Sequence, residues 1–389
     1  MAASNEDYHN DDQVLSDVHT FNVSHLDCSR EIKCDSYFTR FYFYLHKNYT
    51  ASNQLNHLSS QQMAESLYSS ITESEQRLDE DGDPILIRKK DKICSNESNW
   101  FSQNANYISD DSGLEQQLNP ATQKCIDKLE EVDDTHLLIS SADDYKCHVI
   151  TIEHKMETSI YNVGYQVWSG ALLMCDYLLS IHDVLDKAHV VDLGCGTGIT
   201  SIVAAMFAKH VVCTDYSNAL LQLAERNWQR NKDFLFQNNC SEMYFKLLDW
   251  TVDYPSLEDG TEKSVYGLKP ADLDLIEKAD IYISAEVIYD EELTLAFFKT
   301  AYHLLSISPP KVLYITLEKR IVFSTESQQM CSPAYESFQE HLQDLTSVDA
   351  GPVRFSVDQV LTDFPQCFQY ARTKYLELWK ISSIAVDSG

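Results

Sequence analysis

The sequence predicts an α/β protein built on a doubly wound sheet, and three observations support this fold class. Short apolar strand patterns alternate with helical patterns between residues 147 and 386. A glycine-rich loop, Gly194-Cys-Gly-Thr-Gly198, falls between a strand and a helix. The chain ends with two strand patterns that favour an antiparallel hairpin at one sheet edge. Five βα units with right-handed crossovers, together with this hairpin, give a seven-stranded sheet covered by helices on both faces.

The individual elements follow from local patterns. Eight segments are short and apolar or alternate between apolar and polar residues, and we expect strands there, in chain order at 148–154, 189–193, 211–214, 243–248, 281–284, 312–316, 353–360 and 375–381. Five segments carry apolar residues at helical spacing, and we expect helices there, at 168–179, 199–209, 218–231, 292–306 and 334–345. The polar stretch 251–278 is predicted to be a loop.

The first 146 residues differ in character from the rest of the chain. They are rich in Ser, Asn, Gln, Asp and Glu, and apolar positions rarely keep a regular period, so we predict a largely disordered N-terminal extension over 1–146. Two stretches are exceptions: 14–21, and the aromatic 37–44, which has the pattern of a strand. Each either rests on the folded domain, for example as an extra hairpin, or binds a partner. The folded domain is predicted at 147–386.

The composition disfavours several classes of function. Lys and Arg number 30 against 60 Asp and Glu, and the formal net charge of -30 opposes the neutralisation of many phosphates. The first residues have neither a basic nor an apolar signal region, and no run of about 18 apolar residues occurs. The 11 cysteines contain no C-x-x-C pair, so we expect reduced thiols. We therefore expect a nuclear or cytoplasmic monomer without direct nucleic-acid or membrane partners.

The glycine loop predicts a ligand of a particular chemistry. The loop has no Lys, which a P-loop requires, and Ile199 stands where a dinucleotide fingerprint has glycine. Asp192 lies just before the first glycine, where its carboxylate repels a pyrophosphate but accepts hydrogen bonds from an ammonium group or a water-bridged amine. A cationic ligand without phosphate fits this pattern, and S-adenosylmethionine has a sulfonium, an α-ammonium and a ribose.

Acidic residues at the ends of the next two strands fit the same ligand. Asp215 closes the second strand of the domain's βα series, where a carboxylate can take both ribose hydroxyls, and it can also cap the following helix. Asp249 and Trp250 end the third, which places an acceptor for the adenine amino group beside an aromatic wall. The alternative for this pair is a turn aspartate next to a buried core tryptophan.

Together these motifs resemble a known family. The run Asp192-Leu-Gly-Cys-Gly-Thr-Gly198, with the acidic residues above and the closing hairpin, is similar to class I, seven-stranded S-adenosylmethionine-dependent methyltransferases. Two further signatures resemble family 16 protein methyltransferases, namely Gly164-Tyr-Gln-Val-Trp-Ser-Gly-Ala171 and Ser284-Ala-Glu-Val-Ile-Tyr289. The resemblance extends to Leu317-Glu-Lys-Arg320 and Leu376-Glu-Leu-Trp-Lys380. Glu286 is a departure, because many relatives have Asp there.

The resemblance implies methylation of lysine side chains in non-histone proteins. We expect Glu286 and Tyr289, at the carboxyl end of the fourth strand, to hold the substrate ammonium and orient it as it loses its proton. Trp168 is expected against the methionine end of the cofactor, where plain core packing is the alternative, and Ala285 is expected beside the cofactor. The cofactor set is completed by Gly194, Gly196 and Gly198 with Asp192, Asp215, Asp249 and Trp250. No metal is expected.

Other functions remain open at the level of the sequence. A nucleic acid or a small molecule is the alternative methyl acceptor, although Glu286-Val-Ile-Tyr289 replaces the N-P-P-Tyr-type step that grips a flipped base. A cofactor-binding scaffold without activity is a further alternative. The resemblance implies a nucleic-acid-binding or chaperone protein as the substrate and favours the nucleus as the location. The acidic chain is expected to attract a basic protein surface.

Overall fold

The computed structural model describes residues 13–20, 27–31, 36–46, 145–235, 242–252, 254, 264–324, 328–348 and 353–386. The strands, in chain order, are β1 Gln13–Leu15, β2 Asp27–Glu31, β3 Ser36–His46, β4 Tyr145–His154, β5 Glu157–Ser159, β6 His189–Leu193, β7 His210–Asp215, β8 Glu242–Leu247, β9 Ile281–Ala285, β10 Val312–Glu318, β11 Val322–Ser324, β12 Gln329–Cys331, β13 Val353–Val360 and β14 Leu376–Ala385. The α-helices are α1 Ser169–Ser180, α2 His182–Leu185, α3 Ile199–Ala204, α4 Asn218–Leu235, α5 Pro270–Glu277, α6 Glu291–Ser306 and α7 Pro333–Ser347. Two 3-10 segments lie at Asp17–Thr20 and Ile160–Tyr165.

The main sheet confirms the predicted fold class. Its seven strands follow the order β13-β14-β10-β9-β6-β7-β8. The five strands from β10 to β8 are parallel, and β14 joins β10 in antiparallel register and pairs with β13 as the predicted terminal hairpin. The strand order reverses between β6 and β9, so the crevice outside their carboxyl ends is the switch point where open α/β sheets bind ligands.

Alternation along the strands builds a core on each face of the sheet. On β6, Val190 faces one buried cluster and Val191 the other, because successive side chains of a strand point to opposite faces. The first cluster contains residues of α1, α3 and α4, and the second contains residues of α5, α6 and α7. The helices therefore cover both faces, as a doubly wound sheet requires.

The predicted loop at 251–278 contains a helix that sequence patterns did not reveal. Helix α5 begins with Pro270 in its first turn, and the Asp272 carboxylate accepts a hydrogen bond from Lys269 N at 2.9 Å. The helix buries Ile276 fully and packs Leu273 and Leu275 against the second core cluster, but its eight residues are too few to display a clear apolar period. The available sequence signals were Pro270 at the first helical position and the acidic Asp272 in the first turn.

The N-terminal extension contributes to the folded domain, which corrects the predicted domain start at residue 147. Strand β3 confirms the strand predicted at 37–44 and pairs with β4 along its whole length. Phe41 and Phe43 are buried, and Phe43 stacks on Phe368 with ring centroids 4.9 Å apart. The burial of these apolar side chains stabilises the packing of β3 on the core. The disorder predicted for 47–144 lies outside the described residues.

Candidate active site

The glycine loop lies at the switch point and connects β6 to α3. Gly194, Gly196 and Gly198 all have positive φ, at 78°, 51° and 81°. Gly194 N and Cys195 N both donate to Thr214 O, at 3.0 and 2.9 Å, which joins the loop to the end of β7. The left-handed conformation strains residues that carry a Cβ, so the sequence marks this turn with glycines.

At Gly194 and Gly196 the loop lies so close to other parts of the chain that a side chain would not fit. A Cβ on Gly196 would lie 2.8 Å from Gly164 O, so the backbone of the 3-10 segment Ile160–Tyr165 closes directly over the loop. A Cβ on Gly194 would lie 2.9 Å from Val287 Cγ1 and 3.0 Å from Trp250 Cη2. The glycines thus bring together the signature around residue 164, the end of β8 and the segment after β9.

Asp215 is held at the end of β7 by backbone amides. Its Oδ2 accepts from Gly196 N at 3.0 Å and its Oδ1 from Tyr216 N at 2.8 Å. Burial nevertheless raises the pKa of this carboxyl to about 6, against the lowering by the amide hydrogen bonds. The structure therefore fixes the carboxylate beside the glycine loop, in the position expected of a ribose ligand.

Asp192 has a different environment from the one expected. Its Oδ2 accepts from Thr200 Oγ1 at 2.5 Å and from Ser201 Oγ at 2.6 Å, and the residue is buried. Burial raises the pKa of its carboxyl to about 6. In this arrangement Asp192 ties β6 to the first turn of α3, and its contact with an amine of the ligand stays a prediction.

Trp250 forms an aromatic wall beside the glycine loop, whereas Asp249 takes part in a local turn. The Trp250 ring lies against Gly194 and packs edge-on against Phe297 at 5.1 Å, and its buried Nε1 has no hydrogen-bond partner among the described residues. Asp249 Oδ1 accepts from Thr251 N at 2.9 Å and Thr251 Oγ1 at 2.7 Å. The aromatic wall therefore reaches the loop, while one oxygen of Asp249 is used in a local turn.

Glu286 is the most constrained side chain of the site. It follows β9 with φ of 58°, a conformation unusual for a residue other than glycine. Its Oε1 accepts from Gly170 N at 3.1 Å, its Oε2 lies 3.6 Å from Arg320 Nη2, and its side chain is only 7% exposed. Burial raises the pKa of this carboxyl to about 7, although the Arg320 charge opposes the rise.

Tyrosines surround the mouth of the site. Tyr289 is 38% exposed, Tyr216 is 52% exposed, and Tyr216 Oη donates to Tyr161 O at 3.0 Å. Burial, with the nearby Tyr216 and Asp215, raises the pKa of Tyr289 to about 12. Tyr289 therefore keeps its hydroxyl proton at neutral pH and serves as a hydrogen-bonding group.

Trp168 and Ala285 flank Glu286 from two elements. Trp168 immediately precedes α1 and donates from Nε1 to Val163 O at 3.1 Å, and the Arg320 guanidinium lies 4.7 Å above its ring. Ala285 ends β9 opposite Thr316 of β10. The sequence indicates no role for Arg320, because its contact with Glu286 joins the ends of β9 and β10 and depends on the fold.

The residues present fit S-adenosylmethionine better than a phosphorylated cofactor. The two acidic residues near the ends of β6 and β7 are buried, the glycines let the loop pack closely on Gly164 and Trp250, and an unpartnered indole N–H lies in the wall. Across the described ranges, no three His, Cys, Asp or Glu side chains form a candidate metal site. No helix there has the length and apolar character needed to cross a bilayer.

Comparisons with known proteins find similarity to methyltransferases. Residues 146–333 match the family described as lysine methyltransferase. Methyltransferase-like protein 22 of Mus musculus is 36% identical over 235 residues, which are 60% of this chain and 59% of that protein. Protein N-lysine methyltransferase METTL21A of Xenopus tropicalis is 30% identical over 155 residues, 40% of this chain and 61% of that protein. The matches thus span less than two thirds of these relatives.

A solved structure is similar to this chain at low sequence identity. Magnesium protoporphyrin IX methyltransferase from Synechocystis PCC 6803, with bound S-adenosylmethionine, is 17% identical with a TM-score of 0.32. The alignment covers 55% of this chain and 79% of that chain.

Proposed function

We propose that this chain is an S-adenosylmethionine-dependent protein N-lysine methyltransferase that acts on a non-histone protein, and the match of residues 146–333 to the lysine methyltransferase family supports this proposal. The observation that carries the proposal is the position of Glu286, a buried carboxylate at the carboxyl end of β9 and beside the glycine loop. The neighbouring Val287 Cγ1 would lie 2.9 Å from a Cβ on Gly194, so the acidic step and the cofactor loop share one crevice.

A lysine needs assistance before it can accept a methyl group. Its free pKa is near 10.4, so roughly one molecule in 2,500 is neutral at pH 7. Bound S-adenosylmethionine supplies an electrophilic methyl group on a sulfonium. Glu286 has a pKa of about 7, raised by burial, and a carboxylate poised near the working pH is suited to hold an ammonium group and accept its proton.

The other residues position the two reactants and exclude water. Tyr289, at the mouth, donates or accepts a hydrogen bond at the lysine amine with its hydroxyl protonated. Gly194, Gly196 and Gly198 let the backbone approach the cofactor, Asp215 takes the ribose hydroxyls, and Trp250 forms a wall of the pocket. Trp168 lies at the methionine end, where its ring is fixed by Arg320. Alignment and dehydration are the main requirements of such a displacement.

The charge of the chain supports a basic protein as the acceptor. The formal net charge is -30, which raises the encounter rate with a positively charged surface and repels polyphosphate chains. A nucleic-acid-binding or chaperone protein that carries exposed lysines meets this requirement. We propose that the chain acts as a monomer, in the nucleus or the cytoplasm.

The decisive experiment labels the products of the enzyme. The full chain is incubated with methyl-labelled S-adenosylmethionine in nuclease-treated cell extract, beside the variants Glu286→Gln and Glu340→Gln. Glu340 lies exposed on α7, so its substitution makes the same chemical change away from the site. Labelled proteins are separated by mass and digested to identify the modified amino acid.

The expected result is a labelled protein that yields methyl-lysine with the wild type and with Glu340→Gln, and at least about 100-fold less label with Glu286→Gln. Label found only in nucleic acid or in small molecules would assign a different acceptor. Cofactor binding without any label would favour a scaffold. Full turnover by Glu286→Gln would remove the role proposed for that carboxylate.

A further inference from the structure

A short N-terminal segment, Val14 to Val18, is built into the wall of the active site. Ser16 N donates to Met156 O at 2.7 Å, and Ser16 Oγ donates to Val167 O at 2.8 Å. Ser16 and Val18 are 1% and 3% exposed. Strand β1 also pairs with β5. These contacts seat the segment directly against the turn that precedes α1.

The same segment places a carboxylate on the first turn of α1. Asp17 Oδ2 accepts from Ser169 N at 2.8 Å, and the next amide along, Gly170 N, donates to Glu286 Oε1 at 3.1 Å. Both amides lack a partner within the helix, so side chains must satisfy them. Two acidic residues from distant parts of the chain thus share one helix terminus.

The geometry around Gly170 leaves little freedom. A Cβ on Gly170 would clash with Glu286 Oε1, so the carboxylate packs directly on the helix backbone. Thr316 Oγ1 donates to Gly170 O at 2.8 Å, and Glu286 N donates to Thr316 O at 2.8 Å. Any shift of the α1 terminus therefore moves the Glu286 carboxylate with it.

Charges converge on Glu286 from three elements. Arg320, just after β10, favours its ionised form, whereas Glu318 of β10 and Asp17 of the N-terminal segment disfavour it. Burial and the charge of Asp17 likewise raise the pKa of Glu318. Asp17 therefore acts on Glu286 both through the shared helix terminus and through its charge.

We propose that Asp17 is a positioning residue of the methyl-transfer site, which orients the turn from Trp168 to Gly170 and thereby the Glu286 carboxylate. Its effect on catalysis rests on the proposed function, whereas its coupling to Glu286 does not. The match to the lysine methyltransferase family begins at residue 146, so the proposal extends the site into a part of the chain outside that match.

The first test compares two substitutions of Asp17 in the full chain. Asp17→Asn removes the charge and keeps an oxygen that can accept from Ser169 N, whereas Asp17→Ala removes both. Initial rates of label incorporation from methyl-labelled S-adenosylmethionine into nuclease-treated extract are measured between pH 6 and 9. Asp358→Asn, on the exposed face of β13, is the matched control for the loss of one charge.

Each substitution has a distinct expected result. Without the charge of Asp17, Glu286 ionises at lower pH, so the acidic limb of the rate profile shifts to lower pH in Asp17→Asn. At pH 8, the rate of Asp17→Ala is about tenfold below that of the wild type because the turn is no longer fixed. Asp17→Asn retains most of the wild-type rate at this pH. Asp358→Asn retains the wild-type profile. A role in stability alone would lower the rate at every pH without moving the limb.

The second test needs no methyl transfer. Carboxyl carbons of 13C-glutamate-labelled protein are followed by NMR during a pH titration, and the Glu286 signal is identified by its absence in Glu286→Gln. We expect that signal to titrate at lower pH in Asp17→Asn than in the wild type. The same shift in a chain without any methyltransferase activity would support the coupling and contradict only the proposed function. An unshifted Glu286 titration in Asp17→Asn would overturn the inference.

Discussion

At the scale of single residues, the arrangement of the site depends more on backbone conformation than on charge. Gly196 has a φ of 51°, and a Cβ at this residue would lie only 2.8 Å from Gly164 O. Glu286 keeps a φ of 58° although it has a side chain, because its amide is bonded to Thr316 O and its carboxylate to Gly170 N. Such strain persists only where surrounding contacts over-determine the conformation.

The glycine loop yields a prediction at this scale. Gly196→Ala should destabilise the fold by about 1–3 kcal/mol, because of the left-handed backbone and the displaced Ile160–Tyr165 segment. It should also weaken the binding of S-adenosylhomocysteine at least about tenfold, since the same backbone lines the pocket. Thermal unfolding and isothermal titration calorimetry measure the two effects.

Cys195→Ala is the control for this prediction. The Cys195 thiol is buried, and its neighbouring Cys213 together with burial raises its pKa far above the usual range, so it is not a nucleophile. The variant should bind S-adenosylhomocysteine within about twofold of the wild type. Wild-type binding by Gly196→Ala would contradict the assignment of this loop to the cofactor.

At the scale of elements, strand β3 shows how a segment of a polar extension becomes part of the core. Its residues alternate, with Phe41 and Phe43 buried and Tyr42 exposed, as a strand with one covered face requires. It adds one long antiparallel partner to β4, whose Ile150 and Ile152 are also buried. The element therefore closes the first core cluster from outside the main sheet.

The contribution of β3 can be measured with a pair of neighbouring aromatic residues. Phe43→Ala should lower the free energy of unfolding by about 3–5 kcal/mol, because it removes a buried ring that stacks on Phe368. Tyr42→Ala, at an exposed position, should cost less than about 1 kcal/mol. Urea denaturation of both variants provides the comparison. Equal effects would mean that β3 does not pack as described.

At the scale of the whole molecule, buried carboxyl groups set the pH dependence of stability. Burial raises the pKa of Asp176, Asp192 and Asp215 to about 6 and that of Glu286 to about 7. These values exceed those of the unfolded chain, so between about pH 4 and pH 7 unfolding releases protons that the folded state retains. Stability is therefore lost as the pH rises through this window.

We expect a higher melting temperature at pH 6 than at pH 8. Glu286 titrates within this interval, and the net charge of -30 adds self-repulsion that grows as carboxyl groups ionise. Glu286→Gln should reduce the difference between the two melting temperatures, whereas Glu340→Gln should leave it unchanged. Burial raises the pKa of Glu153, but its hydrogen bonds to Arg226 lower that pKa below the ordinary value overall. The stability that Glu153 contributes is therefore lost only as the pH falls below about 4.5, outside the interval from pH 6 to pH 8. A melting temperature that rises from pH 6 to pH 8 would contradict the account.

The sequence by itself determined the sheet, its terminal hairpin and the position of the glycine loop, because these depend on local periods and on glycines that mark a strained turn. It did not reveal α5, whose eight residues are too few for a visible period. The tertiary structure alone decided that the Asp192 carboxylate accepts hydrogen bonds from Thr200 and Ser201. It alone also decided that Arg320, Asp17 and Glu286 meet around one helix terminus. Such contacts join residues far apart in the chain, and no local pattern records which ones the folded backbone brings within hydrogen-bonding distance.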